Sequence, residues 1–240
     1  MNIIVIGGCH SYSFGLDNKD LGYTFLLSKN NVVDIVAPVT NKSALQFFAD
    51  NSSEIKKYDI VILQLGNYEY SISFKKIFKK DTNYIKSSII SKDIIDKYRN
   101  NYTKSPKRIL IYDSVLYYIF KVILSAYEFK FLKENKKIIE KIISLTTQKK
   151  TIIIAPFPVK YKYLNLFRKL GQKVFFNICL KEKMSYIDTN ELFENKELIL
   201  LEDGFHLNEK GHLYIYEKLL EFIKNDGNHS KYRSIKSRNN

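Results

Sequence analysis

Five short apolar runs recur along the sequence and constrain its fold more than any other feature. Most are rich in Val and Ile, and polar or turn residues bound each one. The runs lie at residues 2–8, 32–39, 58–65, 151–156 and 184–188. Apolar strands that alternate with helices are typical of a parallel sheet covered on both faces. The sequence therefore predicts a three-layer α/β/α sandwich with a parallel, flavodoxin-like sheet.

Three other stretches have the spacing of amphipathic helices. Two cover residues 43–58 and 161–170. A last helix is predicted to follow Asn208, which suits an N-cap, and to end near Lys224. Apolar residues at steps of three and four form its predicted buried face, namely Leu213, Tyr216, Leu220 and Ile223.

The alternation of predicted strands and helices is interrupted over residues 71–148. We interpret these residues as a basic helical insertion in a single domain of residues 1–225. Residues 108–146 are predicted to form one or two long helices. Charged side chains such as Asp113 break their apolar pattern and argue against a transmembrane span. The polar tail, residues 226–240, is predicted to be disordered.

The net charge of +14 is concentrated in this insertion and in the tail. Residues 75–150 hold 19 Lys and Arg against 7 Asp and Glu. One interpretation is that a biased codon supply enriched the chain in lysine, and that these lysines form a solvated face without a partner. The other is attraction to an anionic partner, such as an acidic glycan, a phosphorylated carrier or a membrane surface. No nucleic-acid-binding motif accompanies the charge, so nucleic acid is not an expected partner.

The two cysteines, Cys9 and Cys179, lack the paired spacing of a disulfide framework or a zinc site. The first residues also lack the basic region and the cleavage pattern of a signal peptide. We therefore expect a cytoplasmic protein without a metal or a cofactor. Cys179 lies between two apolar residues, which indicates a core position.

Side chains suited to chemistry follow two of the predicted strands and precede the last helix. They lie in residues 7–11 (GGCHS), residues 66–69 (GNYE) and residues 203–212 (DGFHLNEKGH). Loops at the carboxyl ends of parallel strands open into one crevice. We therefore expect the three segments to meet at a single site.

The order of these segments resembles the SGNH (GDSL-like) hydrolase family. That family has a Gly-Asp-Ser turn after its first strand, a Gly/Asn segment after a middle strand and Asp-x-x-His before its last helix. Asp203 and His206 match the last motif, and Cys9 aligns with the nucleophilic serine. The resemblance implies a catalytic triad of Cys9, His206 and Asp203 with a thiolate nucleophile. Ser11 is the alternative nucleophile, but its place two residues later does not fit the turn of the family.

The resemblance also implies an oxyanion site made by the Asn67 side chain, beside Gly66, and by the Cys9 backbone N–H. The family usually separates its glycine and asparagine by one residue, whereas here they are adjacent. Asn67 could equally cap the turn after its strand. A third donor is normally a glycine after the second strand. This chain has no glycine between Gly22 and Gly66, so that donor is expected from a residue near Asn41 to Ser43, or is missing.

The resemblance implies an acyl-ester hydrolase or an O-acyltransferase that acts on an acylated carbohydrate or a similar polar substrate. The alternative is a catalytically inactive SGNH-like domain that binds a glycan or a partner protein, because the serine, the spacing and the glycine all depart from the family pattern. Two other histidines have weaker interpretations. His10 is expected on the surface or in support of the site, and His212 is expected to face solvent.

Overall fold

The computed structural model describes residues 1–38, 40–70, 108–126, 130–146 and 150–224. The strands are β1 (Asn2–Gly7), β2 (Val32–Val36), β3 (Ile60–Gln64), β4 (Lys150–Ile154) and β5 (Ser185–Ile187). The α-helices are α1 (Tyr23–Ser28), α2 (Asn41–Asp50), α3 (Ser52–Ile55), α4 (Arg108–Ala126), α5 (Lys130–Thr146), α6 (Lys162–Glu182), α7 (Asn190–Glu194), α8 (Lys196–Ile199) and α9 (Glu209–Lys224). Short 3-10 turns cover Cys9–Tyr12 and Lys19–Leu21.

The five strands form one parallel sheet in the order β2-β1-β3-β4-β5. Each predicted strand is present, although the observed strands are one to three residues shorter than the predicted runs. The register pairs Ile3 with Ile60 and Gly7 with Gln64, so β1 and β3 end at the same level. The predicted three-layer α/β/α fold is confirmed.

Two apolar cores cover the faces of the sheet. Alternate residues of the central strands point to opposite sides, as the pleat of a strand requires. Ile4, Ile6, Val61 and Leu63 join a core with α2, α5 and α6, whereas Ile3, Val5, Ile60 and Ile62 join a core with α1 and α9. Burial on both faces is the reason that the central strands are apolar throughout.

The predicted helical region of residues 108–146 consists of two helices. α5 contributes Ile139, Ile142 and Ile143 to the first core, so this helix belongs to the layer that covers the sheet. α4 packs on α6, and the Asp113 carboxylate accepts hydrogen bonds from the first N–H groups of α6. Within the described residues, no helix combines the length and the apolar character that a membrane span requires.

Several predicted boundaries lie elsewhere. The stretch of residues 43–58 forms two helices, α2 and α3, instead of one, and the helix predicted to end at residue 170 continues to Glu182. Residues 71–107 and the tail lie outside the described residues, so the predictions of a basic insertion and a disordered tail remain predictions.

The buried face of α9 is displaced from the predicted one. Asn208 does accept a hydrogen bond from the Gly211 N–H, as an N-cap should. Ile223 is buried as predicted, but Leu213 is exposed, and the fully buried apolar positions are Ile215 and Leu219. The displacement occurs because the neighbouring polar residue, His212, turns inward.

His212 is 0% exposed, so the prediction that it faces solvent is wrong. Its Nδ1 accepts the Tyr23 backbone N–H at 3.4 Å, and its ring stacks on the Tyr23 ring with centroids 5.7 Å apart. Burial, and then the positive charge of His206, lower the pKa of His212 to about 4. The ring is therefore neutral at pH 7, and hydrogen bonding to the Tyr23 N–H explains why a histidine occupies this position.

This burial makes stability depend on pH. The unfolded chain binds a proton at His212 near pH 6.5, but the folded chain does so only near pH 4. Stability is therefore lost as the pH falls between these values. We expect His212→Phe to remove about 2 kcal/mol of the loss in unfolding free energy between pH 7 and pH 5, as measured by urea unfolding at both values. Equal losses in the two proteins would contradict the buried, neutral assignment.

Candidate active site

The three predicted segments meet at the carboxyl edge of the sheet. β1 lies between β2 and β3, so the chain leaves β1 toward one side of the sheet and later returns to the other side. In a parallel sheet this reversal opens a crevice beside the ends of the strands. The turn after β1, which holds Cys9, lies at this point.

The Cys9 turn is a short 3-10 helix that starts immediately after Gly8. The Phe14 N–H donates to the Cys9 carbonyl, and the Gly8 N–H donates to the Gln64 side-chain oxygen at 3.1 Å. A Cβ atom at Gly7 would lie 2.1 Å from the Ser11 hydroxyl, so the close approach of the turn requires glycine. The turn presents Cys9 to solvent, and no acceptor in the described part of the chain takes the Cys9 backbone N–H.

Ser11, the alternative nucleophile, is 0% exposed. Its hydroxyl is hydrogen-bonded to the Tyr23 hydroxyl at 2.8 Å, and its carbonyl accepts the Thr24 hydroxyl. These contacts hold Ser11 in the protein interior beneath the turn. The geometry therefore favours Cys9 over Ser11 as the residue that a substrate can reach.

Asp203 and His206 lie in the loop before α9. One Asp203 carboxylate oxygen accepts the backbone N–H groups of Phe205 and His206 at 2.8 and 3.0 Å. The other oxygen is 2.5 Å from His206 Nδ1. Gly204, at φ +73°, makes the sharp turn between them, and its carbonyl accepts the Lys160 N–H. The loop thus fixes both the carboxylate and the imidazole that it orients.

Asp203 occupies Nδ1 of the His206 ring, and the ring lies near enough to the Cys9 thiol for each group to shift the pKa of the other. Desolvation raises the pKa of the Cys9 thiol. The interactions with His206 and the charge of Arg168 together lower it by more than desolvation raises it, so the net shift is downward. Burial lowers the pKa of His206, but Cys9 and Asp203 outweigh burial and raise it to about 10. Both shifts therefore favour the thiolate–imidazolium form of the pair.

Hydrogen bonds and charge from His206 also act on Asp203. Partial burial raises the pKa of the Asp203 carboxyl, but the hydrogen bond and charge of His206 lower it below its ordinary value. The carboxylate is therefore ionised throughout the neutral range and can stabilise the imidazolium. The structure thus brings together Cys9, His206 and Asp203, the three residues predicted as a triad.

His10 supports His206 from the interior and is not on the surface. It is 3% exposed, and its Nδ1 accepts the Leu207 N–H at 3.4 Å. Its ring lies 5.4 Å from the His206 ring and 4.7 Å from Phe157, measured between centroids. Burial and the positive charge of His206 hold the pKa of His10 well below its usual value. A neutral His10 leaves the positive charge on His206.

Asn67 follows β3, and Gly66 before it has φ +85° at a close approach to Phe175. The Asn67 side-chain oxygen accepts the Phe157 N–H at 2.9 Å and Arg168 Nη1 at 2.5 Å. The side chain therefore bonds to groups of the site itself and not only to its own turn. These two bonds fix the amide with its oxygen toward Phe157 and Arg168, and its nitrogen is buried on the other side.

Asn41, the predicted third donor, has a different environment. Its backbone N–H is hydrogen-bonded to the Glu69 carboxylate and is not available to an oxyanion while that bond persists. The Asn41 side chain is 1% exposed, and neither of its polar atoms has a hydrogen-bond partner among the described residues. The Asn41 N–H, the predicted donor, is therefore engaged by Glu69 in this structure.

Arg168 and Gln64 are site residues that the sequence analysis missed. Arg168 lies within α6 and is 5% exposed, and Gln64 is the last residue of β3 and is 1% exposed. Neither belongs to a motif. The only signal is a polar residue in an apolar context, at the end of a strand or within a helix, which sequence alone does not assign to a site. Among the described residues no group of three His, Cys, Asp and Glu side chains is placed to hold a metal ion.

The ion pair is expected to control the reactivity of the thiol. Iodoacetamide alkylates the thiolate, so its reaction with Cys9 should reach half its maximal rate below pH ~8.5, the ordinary thiol value. In His206→Ala this midpoint should move upward, and the rate at pH 7 should fall about tenfold. Cys179 is 1% exposed and burial raises its pKa to about 12, so Cys9→Ala should not be labelled. An unchanged midpoint in His206→Ala would refute the ion pair.

Comparison with solved structures identifies the same architecture in esterases. The esterase EstA from Pseudoalteromonas sp. is 13% identical, with TM-score 0.55, over 93% of this chain and 96% of its own. The α/β hydrolase LAE5 from the metagenome of Lake Arreo is 12% identical, with TM-score 0.61, over 93% and 94%. The acetylxylan esterase Axe2 from Geobacillus stearothermophilus is 14% identical, with TM-score 0.55, over 92% and 93%.

No protein-family model and no curated protein matches the sequence. The structural similarity covers nearly the whole chain at low identity, so it establishes the architecture alone. The chain has the fold of the SGNH-type esterases.

Proposed function

We propose that the protein is an acyl-ester hydrolase or O-acyltransferase with Cys9 as nucleophile, His206 as acid and base, and Asp203 as the residue that orients His206. The observation that carries this proposal is the solvent-exposed Cys9 thiol near His206, whose Nδ1 lies 2.5 Å from an Asp203 carboxylate oxygen. An exposed thiol with a lowered pKa beside a buried imidazolium has the chemistry of an activated nucleophile.

Acylation of Cys9 starts from the ion pair. The thiolate attacks the ester carbonyl carbon, and the carbonyl oxygen becomes an oxyanion. We assign its stabilisation to the Cys9 N–H and the Asn67 NH₂. When the carbon–oxygen bond of the ester breaks, His206 gives its proton to the leaving alcohol. The products of this half-reaction are the free alcohol and a thioester on Cys9.

Deacylation reverses the roles of His206. The neutral imidazole takes a proton from water or from an acceptor hydroxyl, and that oxygen attacks the thioester carbon. The carbon–sulfur bond breaks, and the thiolate and imidazolium are restored. With water the product is a free acid, and with an acceptor hydroxyl it is a new ester. Hydrolase and transferase therefore share this site and differ only in the second acceptor.

An acylated carbohydrate is the substrate class that we propose. Axe2 is described as an acetylxylan esterase and as an acetyl-xylooligosaccharide esterase, and its fold covers nearly all of this chain. An exposed nucleophile at the edge of the sheet suits an acyl group carried on a large polar molecule, because such a substrate cannot enter a closed cavity.

The alternative of a catalytically inactive binding domain has one observation in its favour. The bond between the Asn41 N–H and the Glu69 carboxylate removes a donor that the oxyanion site would otherwise have. Against it, a binding domain has no need for a lowered thiol pKa or for a carboxylate bound to His206 Nδ1. The proposal of an enzyme therefore stands first.

Intact-mass analysis after exposure to p-nitrophenyl acetate tests the reaction. The wild-type protein should gain the mass of one acetyl group, and Cys9→Ala should gain none. His206→Ala should acetylate slower by about 10²-fold, because general acid–base catalysis is lost. Cys9→Ser keeps a hydroxyl in the same place, but at a far higher pKa, and should react more slowly than wild type.

A protein that remains unlabelled, or that is labelled equally in Cys9→Ala, would overturn the proposed acyl transfer. Equal rates in wild type and His206→Ala would remove His206 from the mechanism. Cys179→Ala is the matched control, because that thiol is buried, and its labelling should equal that of wild type.

A further inference from the structure

The Cys9 turn contacts His206 through the side chains of two nearby residues of its own segment. His10, the residue after Cys9, has its ring centroid 5.4 Å from that of His206. Phe14, whose N–H donates to the Cys9 carbonyl, has its ring centroid 4.6 Å from that of His206. One contact comes from the start of the turn and the other from its end. The segment that carries the nucleophile therefore also borders the ring of its base.

A short antiparallel bridge fixes the backbone around His206 on one side. The His206 carbonyl accepts the Leu201 N–H at 2.8 Å. The Asn208 N–H donates to the Ile199 carbonyl, also at 2.8 Å. Because successive N–H groups of extended backbone point in opposite directions, the Leu207 N–H points away from this bridge. It therefore needs an acceptor from another part of the molecule.

His10 Nδ1 is that acceptor, 3.4 Å from the Leu207 nitrogen. Leu207 is 0% exposed, and a buried N–H group without an acceptor is costly. The bond joins the residue after Cys9 to the residue after His206. It requires an unprotonated Nδ1 on His10, which agrees with the pKa of this ring, held well below its usual value by burial.

The His10 ring itself is fixed by packing. The side chain is 3% exposed and contacts Phe157 edge-on, with ring centroids 4.7 Å apart. Phe157 is buried in the core that lies between the sheet, α1 and α9. His10 is therefore anchored in the protein interior, and its bond to Leu207 limits how far the His206 segment can move from the Cys9 turn.

We propose that His10 and Phe14 are positioning residues, through which the Cys9 turn holds His206 at the thiol. His10 does so by accepting the Leu207 N–H, and Phe14 does so by ring contact. Neither residue acts on the reacting atoms. The inference rests on the proposed function in one respect, because it takes His206 as the partner of the thiol.

Two variants of His10 separate the hydrogen bond from the ring. His10→Phe keeps a ring against Phe157 and loses the acceptor, whereas His10→Asn loses the ring and has a side-chain oxygen in place of Nδ1. A less firmly held His206 favours the thiolate less, so alkylation of Cys9 by iodoacetamide at pH 7 should be slower by about threefold in His10→Phe, with a raised pH midpoint. In His10→Asn the midpoint should stay near that of wild type.

Phe14→Ala removes the second contact and should also raise the midpoint. The matched control is His212→Phe, which removes a hydrogen bond of the same kind, from the Tyr23 N–H to Nδ1 at 3.4 Å, on a residue outside the His206 segment. Its midpoint should equal that of wild type. Comparison of midpoints, each taken relative to the maximal rate of its own variant, separates ionisation of the thiol from its accessibility.

Loss of the acetyl group from Cys9 gives a second readout, because His206 must then take a proton from water. After labelling with p-nitrophenyl acetate and removal of the reagent, intact mass follows the return to the unmodified protein. We expect this step to be slower by about tenfold in His10→Phe, since general base catalysis depends on the position of the base. The rates in His10→Asn and His212→Phe should be near that of wild type.

A midpoint in His10→Phe equal to that in His212→Phe, or an equal shift in His10→Asn, would overturn the role of the hydrogen bond. A midpoint in Phe14→Ala equal to that of wild type would overturn the role of the ring contact. If His206→Ala leaves the midpoint unchanged, both roles fall. If wild-type Cys9 is never acetylated, the proposed acyl transfer fails, whereas the alkylation midpoints still decide the positioning roles.

A direct measurement on wild type covers the case in which His10→Phe fails to fold. With ¹⁵N-labelled histidine, NMR distinguishes a protonated from an unprotonated ring nitrogen. His10 should carry its proton on Nε2 and none on Nδ1 at neutral pH. A protonated Nδ1 on His10 would exclude the bond from Leu207 and with it the proposed role of His10.

Discussion

The parallel pairing of β1 with both β2 and β3 is the constraint on which the site depends. Because β1 and β3 end in the same register, the Cys9 turn and the loop that holds Asn67 leave the sheet at the same level. The loop before α9 reaches the same edge and delivers Asp203 and His206. The described part of each loop contains internal hydrogen bonds, which help to fix the side chains relative to the sheet. The apolar cores on both faces stabilise that arrangement.

A cysteine in the nucleophile position changes how the charges of the site are arranged. A serine would stay protonated until it attacks, whereas the lowered pKa of Cys9 and the raised pKa of His206 favour a proton on His206 before any substrate binds. Asp203 then stabilises a charge that exists in the resting protein. Neutral His10 and charged Arg168 both favour this state, the first by adding no competing charge near His206 and the second by attracting the thiolate.

Sequence patterns predicted what depends on local order, and they missed what depends on packing. The apolar strands and the Asp203 to His206 spacing are contiguous signals, so the sheet and that part of the site could be predicted. His212 could not, because its burial follows from a hydrogen bond to Tyr23, which lies far away in the sequence. Arg168 was missed for the same reason, because it contacts the site through Asn67 on another element.

The protonation state of His206 tests the central claim most directly. With ¹⁵N-labelled histidine, NMR distinguishes a doubly protonated imidazolium from a neutral ring in the resting protein, without any substrate. The account predicts that His206 is an imidazolium at pH 7.5 in wild type, that it loses its proton only near pH 10, and that Cys9→Ala lowers this value. A neutral His206 ring at pH 7.5 in wild type would contradict the resting ion pair.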